Sequence, residues 1–321
     1  QPSPPPLQGS PSRPVPRRRA RALAGAVLAA GVLTTGATAA HATAPATPAV
    51  QAAPASAVAG PAGGSSAPVD APAVLGRAAL LVDTSTGEVR YSKEARLRRP
   101  VASLTKMMTA HVALREAGPG DVVEVTEEDV RYAARGGAAV AGLRAGDRLS
   151  VNDLLHALLL PSGADAAHVL ARTYGPGVEG FVAKMNAAAR DLGMADTRYV
   201  NADGMPADGG GYSTAADQVR LAEAVLRNET LKSITSTRHH TVEATGEHGS
   251  YSWRNTNRLL ATPGAVGVKT GFTRAAGYTL AFAAERDGRL LVGVILGESD
   301  SGRRFDTAQA LLDWAAAAGQ A

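Results

Sequence analysis

Residues 73–318 are predicted to form an α+β domain, on three observations. Strand patterns stand at both ends of this stretch, and the region between them, 143–235, reads as mostly helical. The strands at each end are joined by short turn signals, which suit antiparallel pairing. Together these predict one antiparallel sheet, made from the first hairpin and the last three strands. Helices would flank it, with a mostly helical second lobe inserted between. A hydrophobic content of 45% is enough for a substantial core.

Ala78 to Asp83 is a buried-strand pattern, Thr84-Ser85-Thr86-Gly87 a turn, and Glu88 to Ser92 an alternating strand. Pro100 then precedes an apolar run, Met107, Met108, Ala110, Val112 and Leu114, expected as a helix starting near Ser103. Asp121 to Val125 is a short strand, and Leu143 to Leu149, with Gly146-Asp147, reads as strand and turn. Ser150 and Asp153 cap a helix over 151–159, which Pro161 stops. Ser162-Gly163 leads into a second helix over 164–173, so Ser162 lies on a loop between two helices. A helix over 178–192 closes at Gly193, and Thr214 with Asp217 caps the next, with Val219, Ala222 and Leu226 on its apolar face. Strands return at 265–271, 277–284 and 290–296, the second turn being Arg286-Asp287-Gly288, and a last helix runs from about Phe305 to Ala317.

The formal net charge of +4 is unevenly placed. Residues 1–69 carry five arginines (Arg13, Arg17, Arg18, Arg19, Arg21) and no acid, so 70–321 hold 28 basic against 29 acidic residues. A net charge of −1 on the folded part gives no footprint for nucleic acid. Residues 1–42 read as a signal peptide: Arg17 to Arg21 positive, then a short apolar run to Leu33, then small-residue sites at Ala37-Thr38-Ala39 and Ala42-Thr43-Ala44. Export follows, with an N-terminal anchor as the alternative if the signal is retained. Residues 43–72, rich in Ala and Pro, are a disordered linker with nothing to bury. Zero cysteines leave the fold to its core. The histidines show no metal-ligand spacing, and no metal or cofactor is expected.

Ser103-x-x-Lys106 places a hydroxyl and an amine one helical turn apart on one face. A lysine there can take the serine's proton once its pKa is lowered, and a helix N-terminus favours an oxyanion nearby. Alone the pattern equally describes a helix cap beside an exposed lysine. It is followed, in order, by Ser162-Gly163-Ala164 and by Lys269-Thr270-Gly271. This order, S-x-x-K, an S-x-N-like triplet and K-T-G, is that of penicillin-binding proteins and serine β-lactamases.

The longer contexts are more specific. Gly267 to Thr273 with Ala276-Gly277-Tyr278, Tyr212-Ser213-Thr214-Ala215 with Asp217, and Asn255-Thr256-Asn257 resemble the D-alanyl-D-alanine carboxypeptidases, the low-molecular-mass penicillin-binding proteins of peptidase family S11. The resemblance covers residues 74–318 and implies the penicillin-binding-protein and serine β-lactamase-like fold. It implies Ser103 as nucleophile toward a D-Ala–D-Ala carbonyl and Lys106 as its base, neutral through repulsion from Lys269. Ser162 would pass a proton to the leaving amine. The N–H groups of Ser103 and Phe272 would form the oxyanion hole. Lys269, Thr270 and Gly271 would bind the substrate, with Arg303 at the start of the last helix helping on its carboxylate and Arg304 the adjacent rival. The partners implied are peptidoglycan stem peptides, and β-lactams as covalent inhibitors.

One position departs from the pattern. The triplet's third residue is usually Asn, and Ala164 stands there. This implies slower peptide hydrolysis and leaves a catalytically weakened, peptidoglycan-binding relative as one alternative. A serine β-lactamase is the other, disfavoured because Glu179 is the only glutamate between Ser162 and Asn201 and lacks the context of a deacylating base. With a last helix ending near Ala317, no C-terminal membrane attachment is expected.

Overall fold

A computed structural model describes residues 70–317. The signal peptide and almost all of the linker expected above lie outside the described residues. Five strands form the main sheet: β1 (Ala78–Asp83), β2 (Glu88–Lys93), β7 (Ala265–Thr273), β8 (Gly277–Arg286) and β9 (Arg289–Glu298). Their order is β2-β1-β9-β8-β7, antiparallel throughout. This is the α+β arrangement read from the sequence, with the first hairpin and the last three strands in one sheet.

The sheet is covered on both faces, and the period of two divides its side chains cleanly. Ala79 and Leu81 of β1 point to one side with Leu280, Phe282, Leu291 and Ile295, where Leu311 and Leu312 of α8 (Arg303–Ala317) cover them. Ala78, Leu80 and Val82 point to the other side with Ala281, Ala283, Val292 and Val294, into the larger core shared with the helical lobe. Burial on both faces is why β1 reads as a continuous apolar run while the edge strand β2 is largely exposed.

The lobe contains α1 (Thr105–Glu116), α2 (Glu127–Arg135), α3 (Val151–Leu159), α4 (Ala164–Tyr174), α5 (Gly177–Asp191), α6 (Ala215–Arg227) and α7 (Glu229–Ser236). Two small two-stranded sheets flank it: β3 (Val122–Glu124) with β4 (Arg148–Ser150), which α2 separates in the chain, and the hairpin of β5 (His239–Val242) with β6 (Tyr251–Arg254). Helix α1 is central, with Met107, Met108 and Ala110 fully buried and the polar Thr105, Lys106 and Thr109 buried beside them.

Three elements escape the sequence reading. Helix α2 is set by a capping box, Thr126 accepting from the Asp129 amide while Asp129 accepts from that of Thr126. The β5–β6 hairpin has strands of four residues, too short for periodicity to register. Helix α7 follows α6 with Asn228 as the only break and cap. The hairpin carries His240, whose ring stacks on His156 at 3.7 Å and donates through Nε2 to the Asp153 carboxylate, and Trp253, which donates to the Ala141 carbonyl at 2.8 Å. The Trp253 bond holds the 139–143 segment, while the His240 contacts tie the hairpin to α3.

Candidate active site

The chain turns from Pro100 into a short 3-10 turn, Ala102–Leu104, that runs directly into α1. Ser103 sits in this turn, and Lys106 follows in the first turn of α1. The spacing of three does what it promised: Lys106 Nζ lies 3.1 Å from Ser103 Oγ. Nζ also donates to the carbonyl of Asp203 at 2.7 Å. Ala102 takes a positive φ of 52°, uncommon for a side chain with a Cβ, to aim the serine into the cleft.

Strand β7 closes on this turn. A Cβ on Gly271 would lie 2.5 Å from Thr279 Oγ1 and 3.0 Å from the Ser103 nitrogen, so only glycine allows the approach. Thr279 Oγ1 in turn donates to the carbonyl of Val101, tying β8 to the turn. The Thr270 hydroxyl pairs with that of Thr256 at 2.7 Å. Phe272 is half exposed and stacks on Tyr278 with centroids 4.3 Å apart. Ser162 takes a φ of 71° between α3 and α4, and its buried Oγ has no hydrogen-bond partner among the described residues. Ser103, Lys106, Ser162, Thr256, Thr270, Gly271, Phe272 and Arg304 all line one cleft of about 690 Å³. No carboxylate lines it among the described residues.

Lys106 and Lys269 are each 1% exposed. Burial lowers Lys106 to about 8, against the pull of the Asp203 and Asp165 carboxylates. Lys269, donating to the Thr270 carbonyl, is pushed well below the ordinary lysine value by burial first and then by Lys106 and Arg304. Desolvation is thus the largest influence on Lys106, and the mutual repulsion of the two buried amines, the influence expected from the sequence, acts beside it.

Arg303 is not where the resemblance put it. Its guanidinium turns to Glu298 Oε1 at 3.2 Å and Ser299 Oγ at 2.9 Å, and the cleft is lined by Arg304. Consecutive helical residues point about 100° apart, so only one of the two can face the site. Arg304 donates to the carbonyls of Gly271 and Thr279 at 2.9 and 3.1 Å and lies over the rings of Tyr278 and Phe305.

Ala164 is fully buried as the first residue of α4, its amide donating to the Ala139 carbonyl at 2.8 Å. Asp165 is a helix N-terminal residue turned inward: it accepts from the amides of Ala141, Leu143 and Ala166, clamping the 139–143 segment. Sequence reasoning missed Asp203, whose carbonyl receives Lys106, and the cleft wall of Gly136 to Ala139, Met205 and Pro206. Asp203-Gly204 is a turn signal, but a turn signal does not say what its carbonyl will face.

A hydroxyl in contact with a buried amine of lowered pKa, backbone amides at the turn and on β7, an unpartnered hydroxyl and a cationic end make a site suited to nucleophilic acyl transfer on a substrate ending in a carboxylate. The chain is similar to known proteins. The profile of peptidase family S11, described as D-alanyl-D-alanine carboxypeptidase, matches residues 65–300. The D-alanyl-D-alanine carboxypeptidase of Streptomyces sp. strain K15 is 34% identical over 299 residues, covering 89% of this chain and 97% of that protein. The carboxypeptidase DacF of Bacillus subtilis is 31% identical over 245 residues, 74% of this chain and 61% of its own length. The crystal structure of the Streptomyces K15 DD-transpeptidase superposes with a TM-score of 0.74 at 34% identity, over 78% of this chain and 100% of that one.

Proposed function

The chain belongs to the S11 family of D-alanyl-D-alanine carboxypeptidases and is a serine-type enzyme of that kind, and on that premise we propose that it acts through an acyl-enzyme on Ser103. One observation carries the proposal: Ser103 Oγ within 3.1 Å of a buried lysine whose pKa lies at about 8. Lys106 is then neutral in about a tenth of molecules at pH 7, far more than an ordinary lysine, and this neutral form accepts the serine proton as Oγ attacks the penultimate D-alanine carbonyl. The amides of Ser103 and Phe272 stabilise the oxyanion. Ser162, with a free hydroxyl in the same cleft, passes a proton to the departing D-alanine amine. Thr270, Lys269 and Arg304 receive the terminal carboxylate, the role assigned from the sequence to Arg303. Water then cleaves the ester.

β-Lactams present the same acyl carbonyl and the same carboxylate, so they are covalent inhibitors in this reading. Among the described residues no carboxylate lines the cleft in the place of a β-lactamase's deacylating base, which argues against the β-lactamase alternative. The enzyme works on exported peptidoglycan stem peptides, and the run from Arg17 to Leu33 supports delivery across the membrane. Ser103→Ala tests the proposal: the variant should melt as the parent does, take no fluorescent penicillin and release no D-alanine. Persisting label would mean a different nucleophile.

Transfer to an amine, in place of water, is a second reading, favoured by the likeness to the Streptomyces K15 DD-transpeptidase. Both reactions share the acyl-enzyme, and adding an acceptor amine to the D-alanine assay separates them.

A further inference from the structure

Lys106 Nζ has two oxygen partners, the Ser103 hydroxyl and the Asp203 carbonyl. The loop that supplies the second is held almost atom by atom. Asn201 bridges it, accepting from the Gly204 amide at 2.8 Å and donating to the Met205 carbonyl at 2.7 Å. Thr109 of α1 donates to the Ala202 carbonyl at 2.6 Å. The Asp203 carboxylate, 2% exposed, accepts from the Met205 amide through one oxygen and from the Tyr132 hydroxyl, at 3.1 Å, through the other. Tyr132 cannot swing away. Its ring stacks on His168 with centroids 4.4 Å apart, and His168 is bonded through Nδ1 to Asp129, which Arg172 also holds.

We propose that Asp203 and Tyr132 are positioning residues for Lys106, the Asp203 carboxylate favouring the charged amine and the Tyr132 hydroxyl moderating that carboxylate. The proposal rests on the acyl-enzyme reading above. Lys106 meets Asp203 directly through the backbone carbonyl, and the charges that bear on its amine are those of Asp203, Asp165 and Lys269. Asp165 is committed to three backbone amides, which fix its place. Lys269 acts in the opposite direction. Asp203 is the adjustable member, because half of its hydrogen bonding comes from one neutral side chain on another element. Through it, helix α2 bears on the base without touching substrate.

The two residues should then shift the base in opposite directions. Asp203→Asn removes a negative charge, so the ammonium form is less favoured and the acid limb of acylation moves to lower pH. Tyr132→Phe removes the hydroxyl and concentrates charge on the carboxylate, so the limb moves to higher pH. Each displacement should be on the order of half a pH unit, about threefold in rate on the acid side. The measurement is the rate of fluorescent-penicillin acylation of the full chain from acid to alkaline pH, with melting followed in parallel. Either variant alone carries the sign, so loss of fold in one leaves the other decisive. A limb that stays in place, or moves the same way in both, overturns the proposal while the acyl-enzyme reading stands. If the unaltered chain takes no label at all, the acyl-enzyme reading falls and this inference with it.

Discussion

Gly204 lies where the nucleophile's turn and the base's acceptor meet, and Gly204→Ala tests whether that contact is rigid. The residue follows Asp203, has a φ of 81°, and a Cβ built on it would stand 1.9 Å from the Ala102 carbonyl oxygen and 2.8 Å from Thr105 Oγ1. Real Cβ contacts are not found below 3.0 Å, so the two backbones must part by roughly 1 Å. The oxygen belongs to the turn that carries Ser103, and the loop carries the carbonyl that receives Lys106. Neither side is a flexible side chain that could yield cheaply. The left-handed backbone alone costs an alanine about 1–2 kcal/mol. Overpacking adds about 1–3 kcal/mol. A misplacement of about 1 Å at a catalytic group costs on the order of 10²-fold in rate. The variant should therefore lose about 2–5 kcal/mol of stability and about 10²-fold in acylation. Thermal melting and the rate of fluorescent-penicillin labelling measure the two together. Labelling within threefold of the parent, with an unchanged melting midpoint, would refute the claim that this backbone contact positions the serine and lysine.

Two further outcomes distinguish residues the sequence left in competition. Arg304→Ala should raise KM for D-Ala–D-Ala peptides about tenfold or more, since a charge-assisted contact to the terminal carboxylate is worth about 1.5–3 kcal/mol, whereas Arg303→Ala should leave KM within about threefold. Equal effects in steady-state kinetics would remove the assignment of Arg304. Ala164→Asn should speed D-alanine release by roughly one to two orders of magnitude, with less effect on the strained lactam. No gain in the D-alanine assay would mean that another group already serves the substrate there.

The sequence by itself determined the sheet, the lobe and the chemistry of the principal motif. Buried strands, capped helices and a three-residue spacing are local patterns, and local backbone geometry obliges Ser103 and Lys106 to share a face. Glycine at 271 could likewise be read as part of a motif, although its reason, the nearness of Ser103, appears only in the folded chain. Tertiary structure alone decided three things. It chose Arg304 over Arg303, because helix phase depends on where α8 begins, and it begins at Arg303 rather than at Phe305. It brought the Asp203 carbonyl, 97 residues away in the chain, to Lys106, and Tyr132 to Asp203 across 71 more. It also made desolvation the dominant influence on the pKa of Lys106. Burial is a property of everything packed around a group, and no spacing of residues along a chain encodes it.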